Sequence, residues 1–233
     1  TVGTAFVAAL HESSDRHAVE KAFTSDVPAA TDQMSMPVHK YQRRDRLEHV
    51  APPAVPSAAE HLYTRQMGPF GVYLVLAGGL DAPEALTASD GWGNDAFVAY
   101  RLDGKVCVDA RIVADSRSDA DRIERGLEAW GHARPKESAA LVGRDGTTLL
   151  LSVCDPGVKA TERVVDAATI DQFLDRADLL KDRVAFTGLP ALSECVAVSF
   201  FTDHVASDLR GENPDVDPFN EIDDITKNCQ SSV

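Results

Sequence analysis

Two pairs of short strand-forming runs, each pair joined by Asp-Gly, constrain this chain more than any other feature. Ala96 to Leu102 is rich in aromatic and branched residues, as strands are. Lys105 to Ala114 alternates, with Val106, Val108 and Ala110 on one face and Cys107, Asp109 and Arg111 on the other. Between them Asp103-Gly104 tolerates the positive φ angles of a tight hairpin. The pattern recurs at Ala139 to Val142 and Thr147 to Val153 around Asp145-Gly146. A helix is predicted between the hairpins: Ser118 as N-cap, Ala120, Ile123, Leu127 and Trp130 as one apolar stripe, and Gly131 as its stop. The expected fold class is α+β, with an antiparallel ββαββ sheet unit, helices before it and a disulfide-stapled helical tail.

Four cysteines, Cys107, Cys154, Cys195 and Cys229, form no Cys-x-x-Cys pair, which argues against a zinc ribbon or a thioredoxin-like site. Their even number and wide spacing fit two disulfides in an oxidising compartment, Cys107–Cys154 and Cys195–Cys229 being the preferred pairing. The first would close a loop of about 48 residues, worth roughly 4 kcal/mol in the chain-entropy account. Four buried thiols in a cytosolic protein are the alternative. Hydrophobic residues, at 44%, suffice for a real core. The net charge of −14 disfavours phosphate backbones and anionic membranes as partners. No apolar run reaches the ~20 residues of a membrane span.

The chain divides into a helical and Pro-rich region over 1–90, the ββαββ unit over 91–157 and a helical tail over 158–233. Residues 1–24 read as two short helices, with Ser13-Ser14-Asp15 breaking the first and capping the second. Val2, Phe6, Ala9 and Leu10 are at helical spacing from the outset, which is expected of a chain whose upstream part is missing; a mature terminus left by signal cleavage is the alternative. Residues 25–60, with Pro28, Pro37, Pro52, Pro53 and Pro56, are expected to be irregular and to wrap a surface. They hold the only basic cluster, Lys40, Arg43, Arg44 and Arg46, expected to pair internally. The run 68–80 is apolar almost all round, the mark of a buried helix, with Gly78-Gly79 as its end and Asp81 capping the next. Trp92, between two glycines, is either a core anchor or the lining of a groove, the first being favoured. Helices are predicted over 169–181, from Pro190 to about His204, and around Ile222, Ile225 and Cys229.

Candidate metal ligands fail on spacing. His11 and His17 are six apart, where a zincin needs His-Glu-x-x-His on one helix face. Asp215, Asp217, Glu221 and Asp223 lack the spacing and central glycine of an EF-hand, and read as a solvated acidic loop. Neither a nucleophile elbow, a phosphate loop nor a dinucleotide fingerprint occurs, and no carboxylate pair stands out. No catalytic residue, metal ligand or cofactor is assigned to this chain.

Several segments do fall in a recognisable order. Thr31-Asp32-Gln33-Met34, Pro37 and Lys40-Tyr41 resemble the Ser-Thr-Glu-Gln…His-Pro-x-Lys-Tyr stretch of bacterial zinc-metallopeptidase-like proteins. The run 68–80 resembles the helix that follows there, and Gly91-Trp92-Gly93-Asn94-Asp95 their Gly-Trp-Gly-Gly-Asp segment. Val106-Cys107-Val108 and Val153-Cys154-Asp155-Pro156-Gly157 are similar to the actinobacterial version, typically secreted or membrane-anchored. Asp32 replaces a frequent Glu, and Asn94 a frequent Gly. In the peptidase-like members His-Glu-x-x-His lies upstream of the position of Thr1, so no zinc ligand carries over, and zinc is implied only with residues outside this sequence.

The resemblance implies the non-catalytic carboxy-terminal region of a secreted or cell-envelope protein, partnered by the upstream part of its own polypeptide or by another envelope protein. It implies a functional surface at Thr31, Asp32, Gln33, Tyr41, Trp92, Asn94 and Asp95, and uncovered apolar surface near residues 1–10. The competing expectation is a stand-alone extracytoplasmic binding or structural module, with a closed core around Phe6 and a groove lined by Trp92 or Tyr41.

Overall fold

The structure is a computed structural model that describes residues 2–13, 17–25, 31–42, 49–157 and 166–231; of Thr31 and Asp32 it describes the backbone only. The predicted caps at Ser14 and Asp15, Pro28, and the basic residues Arg43, Arg44 and Arg46 lie outside the described residues. In chain order, α1 (Val2–His11), α2 (Ala18–Thr24) and α3 (Thr31–Ser35) precede a π-helical turn, Pro37–Gln42. Next come β1 (Glu60–Arg65), α4 (Gly68–Leu76), α5 (Ala82–Ser89), β2 (Trp92–Leu102) and β3 (Lys105–Ala114). Then follow α6 (Arg117–His132), a 3-10 turn at Lys136–Ser138, β4 (Leu141–Asp145) and β5 (Thr148–Cys154). The tail holds α7 (Ala167–Thr187), α8 (Pro190–Asp203), α9 (Ala206–Leu209) and α10 (Pro218–Gln230).

These elements form two compact units, Arg46–Val165 and a discontinuous one made of Thr1–Asp45 and Asp166–Val233. The grouping cuts across the expected three-part division, because the tail shares a core with the amino-terminal helices.

The 46–165 unit is an antiparallel sheet ordered β1-β2-β3-β5-β4. Asp103 and Gly104 turn the first hairpin with φ of 51° and 79°, and Gly146 the second with φ of 63°. The ββαββ unit is therefore present, with one strand more than expected. β1 went unread because it is an almost wholly exposed edge strand whose register shifts between His61 and Tyr63, which hides the alternation. Two further boundaries differ from expectation. Ser116, not Ser118, caps α6, its Oγ accepting from the Asp119 N–H at 3.2 Å, and the helix runs past Gly131 to His132. β4 starts at Leu141 rather than Ala139, which takes a left-handed φ of 46° after the 3-10 turn.

Both faces of the sheet are covered. α4 and α6 pack on one, where Ile112, Ala110, Leu149 and Leu151 are buried beside Ile123 and Leu127. On the other, Val55 and Ala59 from the Pro-rich extended segment pack on Val98, Tyr100 and Cys107. Cys107 and Cys154 are register partners on adjacent strands and form the first disulfide.

The second unit is helical. α7 and α8 form a hairpin through Gly188, with φ of 64°, and α1 packs on α7. Ala5, Phe6, Ala9 and Leu10 of α1 are buried, as are Phe173, Leu180, Val196, Phe200 and Phe201. Cys195–Cys229 joins α8 to α10 beside Leu192, Val196, Ile222 and Ile225. The stretch expected to be irregular is in part helical here: α3 and the π-turn pack on α1. Gln172 braces α7, donating to the His204 carbonyl at 2.9 Å and accepting from the Ala206 N–H at 2.7 Å.

Candidate functional site

Each unit contains a carboxylate with no solvent exposure that holds the start of a helical segment distant in sequence. In the sheet unit it is Asp95 on β2. Its oxygens accept from the N–H groups of Met67 at 2.7 Å and Gly68 at 2.8 Å, where α4 begins, and from the Trp92 indole at 3.0 Å. A negative charge there complements the helix dipole and satisfies N–H groups that have no partner inside the helix. Burial dominates its titration and raises its pKa above the ordinary carboxylate value, while the three hydrogen bonds pull the other way. Asn94 supports it, its side-chain oxygen accepting from Gln66 and from the Asp95 N–H at 2.8 Å each. The flanking glycines allow close approach: a Cβ on Gly91 would sit 2.4 Å from that of Asp119, and one on Gly93 2.7 Å from an Asp115 oxygen.

The Gly-Trp-Gly-Asn-Asp segment is thus a buried joint. Trp92, Asn94 and Asp95, expected on a functional surface, are all under a tenth exposed. For Trp92 this is the core-anchor reading.

In the helical unit the buried carboxylate is Glu194 on α8. It accepts from the Val38 N–H at 2.6 Å and the His39 N–H at 2.8 Å, and the His39 ring nitrogen lies against the same carboxylate. These N–H groups open the π-turn, which carries Lys40 into a buried position and sets Tyr41 edge-on to Phe6 at 5.0 Å. Tyr41 and Gln33 are half-buried. The expected surface is therefore divided: Thr31, Asp32, Gln33 and Tyr41 belong to the helical unit, Trp92, Asn94 and Asp95 to the other. Sequence reasoning passed over Glu194. Its only signal was a lone acid in the apolar run 191–201.

The remaining titratable clusters are engaged locally. His11 pairs with Glu12 at 2.9 Å, and His17 lies 3.4 Å from Glu20. Asp217 caps α10 by accepting from the Phe219 and Asn220 N–H groups at 3.0 and 3.3 Å. Burial alone would raise the Asp208 carboxyl, yet hydrogen bonds from the Val205 N–H and Asn213, with His204 beside it, hold it below its usual value. Among the described residues no group of three or more His, Cys, Asp or Glu side chains is placed to hold a metal ion, and no helix is long and apolar enough to cross a membrane.

Among the described residues, open apolar surface is found along α1. The face opposite Phe6 lines a groove of about 730 Å³ with α2 and α7. Val7, Ala8, Val184 and Ala185 are among its apolar lining residues, with Phe23, which is 74% exposed, and His11, Glu12 and Lys181 line it as well. Exposed aromatic surface beside an apolar groove is characteristic of a binding face.

The arrangement defines a disulfide-braced α+β chain in which two buried carboxylates, Asp95 and Glu194, hold helical segments in place. Over residues 59–172, from β1 into α7, the chain matches the family described as Domain of unknown function (DUF8575). No curated protein and no solved structure matches it.

Proposed function

We propose that this chain is the non-catalytic region of an extracytoplasmic, metallopeptidase-like protein, supporting an active site supplied by residues outside this sequence. The observation that carries the reading is the groove on α1, which leaves Val7, Ala8 and Phe23 open to another polypeptide segment. Two disulfides favour an oxidising compartment, whether the protein is secreted or anchored to the envelope. The use of Asp95 and Glu194 as helix anchors is consistent with a supporting role. The order of the Thr31–Tyr41 and Gly91–Asp95 segments supplies the link to metallopeptidase-like proteins.

The test is the complete reading frame that encodes this stretch, together with assays of its product. A His-Glu-x-x-His upstream of Thr1, and zinc-dependent hydrolysis by the complete product but not by residues 1–233, are expected. A signal peptide abutting Thr1 would contradict the reading. It would favour a stand-alone extracytoplasmic binding or structural module, for which the burial of Phe6 in a closed core speaks.

A further inference from the structure

The groove on α1, α2 and α7 carries information about what covers it. Its lining is largely aliphatic, with Gly3, Ala8 and Ala185 letting an occupant approach the backbone. It is open to solvent rather than enclosed, which suits a helix laid on it better than an enclosed small molecule. Its surroundings are acidic. Lys181 has Asp178 and Asp182 at 3.3 Å each, and Glu12, beside His11, adds a further carboxylate. The wider field has the same sign: residues 1–45 and 166–233 together carry twenty acidic and ten basic side chains, against seventeen and thirteen over 46–165. Such a field repels fatty acids, anionic lipid and a second copy of this chain, and attracts cations.

We propose that the groove takes a cationic amphipathic helix, its apolar face on Val7, Ala8, Val184 and Ala185 and its flanking Lys or Arg side chains toward Glu12 and Asp182. The proposal rests on the reading of the groove as a docking face and adds the chemistry of the partner. Phe23, largely exposed in the lining, would close over the bound helix.

The probe is a capped Leu/Ala/Lys peptide of about 18 residues, long enough to be helical, with two controls: the same peptide with Glu in place of Lys, and a scramble that has no apolar face. Binding to residues 1–233 is followed by anisotropy and by methyl NMR of Val7, Ala8, Val184 and Ala185. The Lys helix is expected to shift those methyls and to bind at least tenfold more tightly than either control. Ala185→Gln, at an exposed helix position, should weaken it at least tenfold. Asp182→Asn should weaken it several-fold and flatten its salt dependence. Leu141→Gln in the sheet unit should leave it unchanged. Equal binding of the Glu and Lys helices at the groove overturns the assigned chemistry and leaves the docking reading standing. Equal binding of the scramble, or shifts elsewhere, overturns the proposal. Failure of every peptide to shift the groove methyls overturns both. Self-association in sedimentation that Ala185→Gln abolishes would assign the groove to a second copy instead.

Discussion

Asp95 and Glu194 show what a buried charge does when it holds backbone in place. Replacing Asp95 by Ala leaves three buried donors, on Met67, Gly68 and Trp92, without their acceptor. We expect a loss of about 3 kcal/mol, since each unsatisfied buried group costs roughly 1–3 kcal/mol, and urea unfolding measures it. The pH dependence has a definite sign. Asp95 binds its proton more tightly in the folded state than in the unfolded one. Its contribution is therefore full below the unfolded value of about 3.9 and is lost as pH rises through the raised folded value. The stability of the native protein relative to Asp95→Asn should fall as pH rises from the unfolded value toward the raised folded one. A relative stability that rises over that window would contradict the assignment.

At the scale of elements, close approach and cross-linking decide what can change. A Cβ on Gly79 would lie 2.3 Å from the backbone nitrogen of Trp130, so Gly79→Ala must push α6 off its seat. A cost of about 3 kcal/mol follows, at the upper end of overpacking. The contrasting variant is Gly131→Ala, whose nearest neighbour is Ala140 Cβ at 3.6 Å. It should be neutral or stabilise by up to about 1 kcal/mol through helix propensity. Thermal melts of the pair separate packing from propensity. Opening Cys195–Cys229, which spans 34 residues, should cost about 4 kcal/mol on the chain-entropy account. A Cys229→Ser variant that melts like the parent would contradict that figure.

What was legible in sequence follows from how local each signal is. The two Asp-Gly hairpins, the cap at Asp81 and the helix at Pro190 are written in neighbouring residues, and they stand as expected. Whether four cysteines form bridges depends on the sheet, yet the strand pattern placed Cys107 and Cys154 close enough to pair. The first cap of α6 was misread because Ser116 and Ser118 offer the same chemistry two residues apart. β1, the π-turn and the roles of Asp95 and Glu194 depend on partners 27 to 156 residues away, which no local pattern states. The groove lies on the non-core side of α1, where Gly3, Val7 and Ala8 read as ordinary helix surface.

For the whole molecule, two units with separate cores imply a testable boundary. A fragment covering 46–165 should fold with its Cys107–Cys154 bridge intact. A fragment covering 91–157 should not, because it lacks β1, α4 and the Val55–Ala59 cover of the sheet. Circular dichroism and proton NMR dispersion of the two fragments distinguish these outcomes. The central proposal concerns the other unit: that it is a supporting body whose α1 face takes a further segment. Amide hydrogen exchange of α1 measures that directly, in residues 1–233 and in the complete product of the reading frame. The account predicts markedly slower exchange at Val7, Ala8 and His11 in the complete product; equal exchange in the two would contradict it.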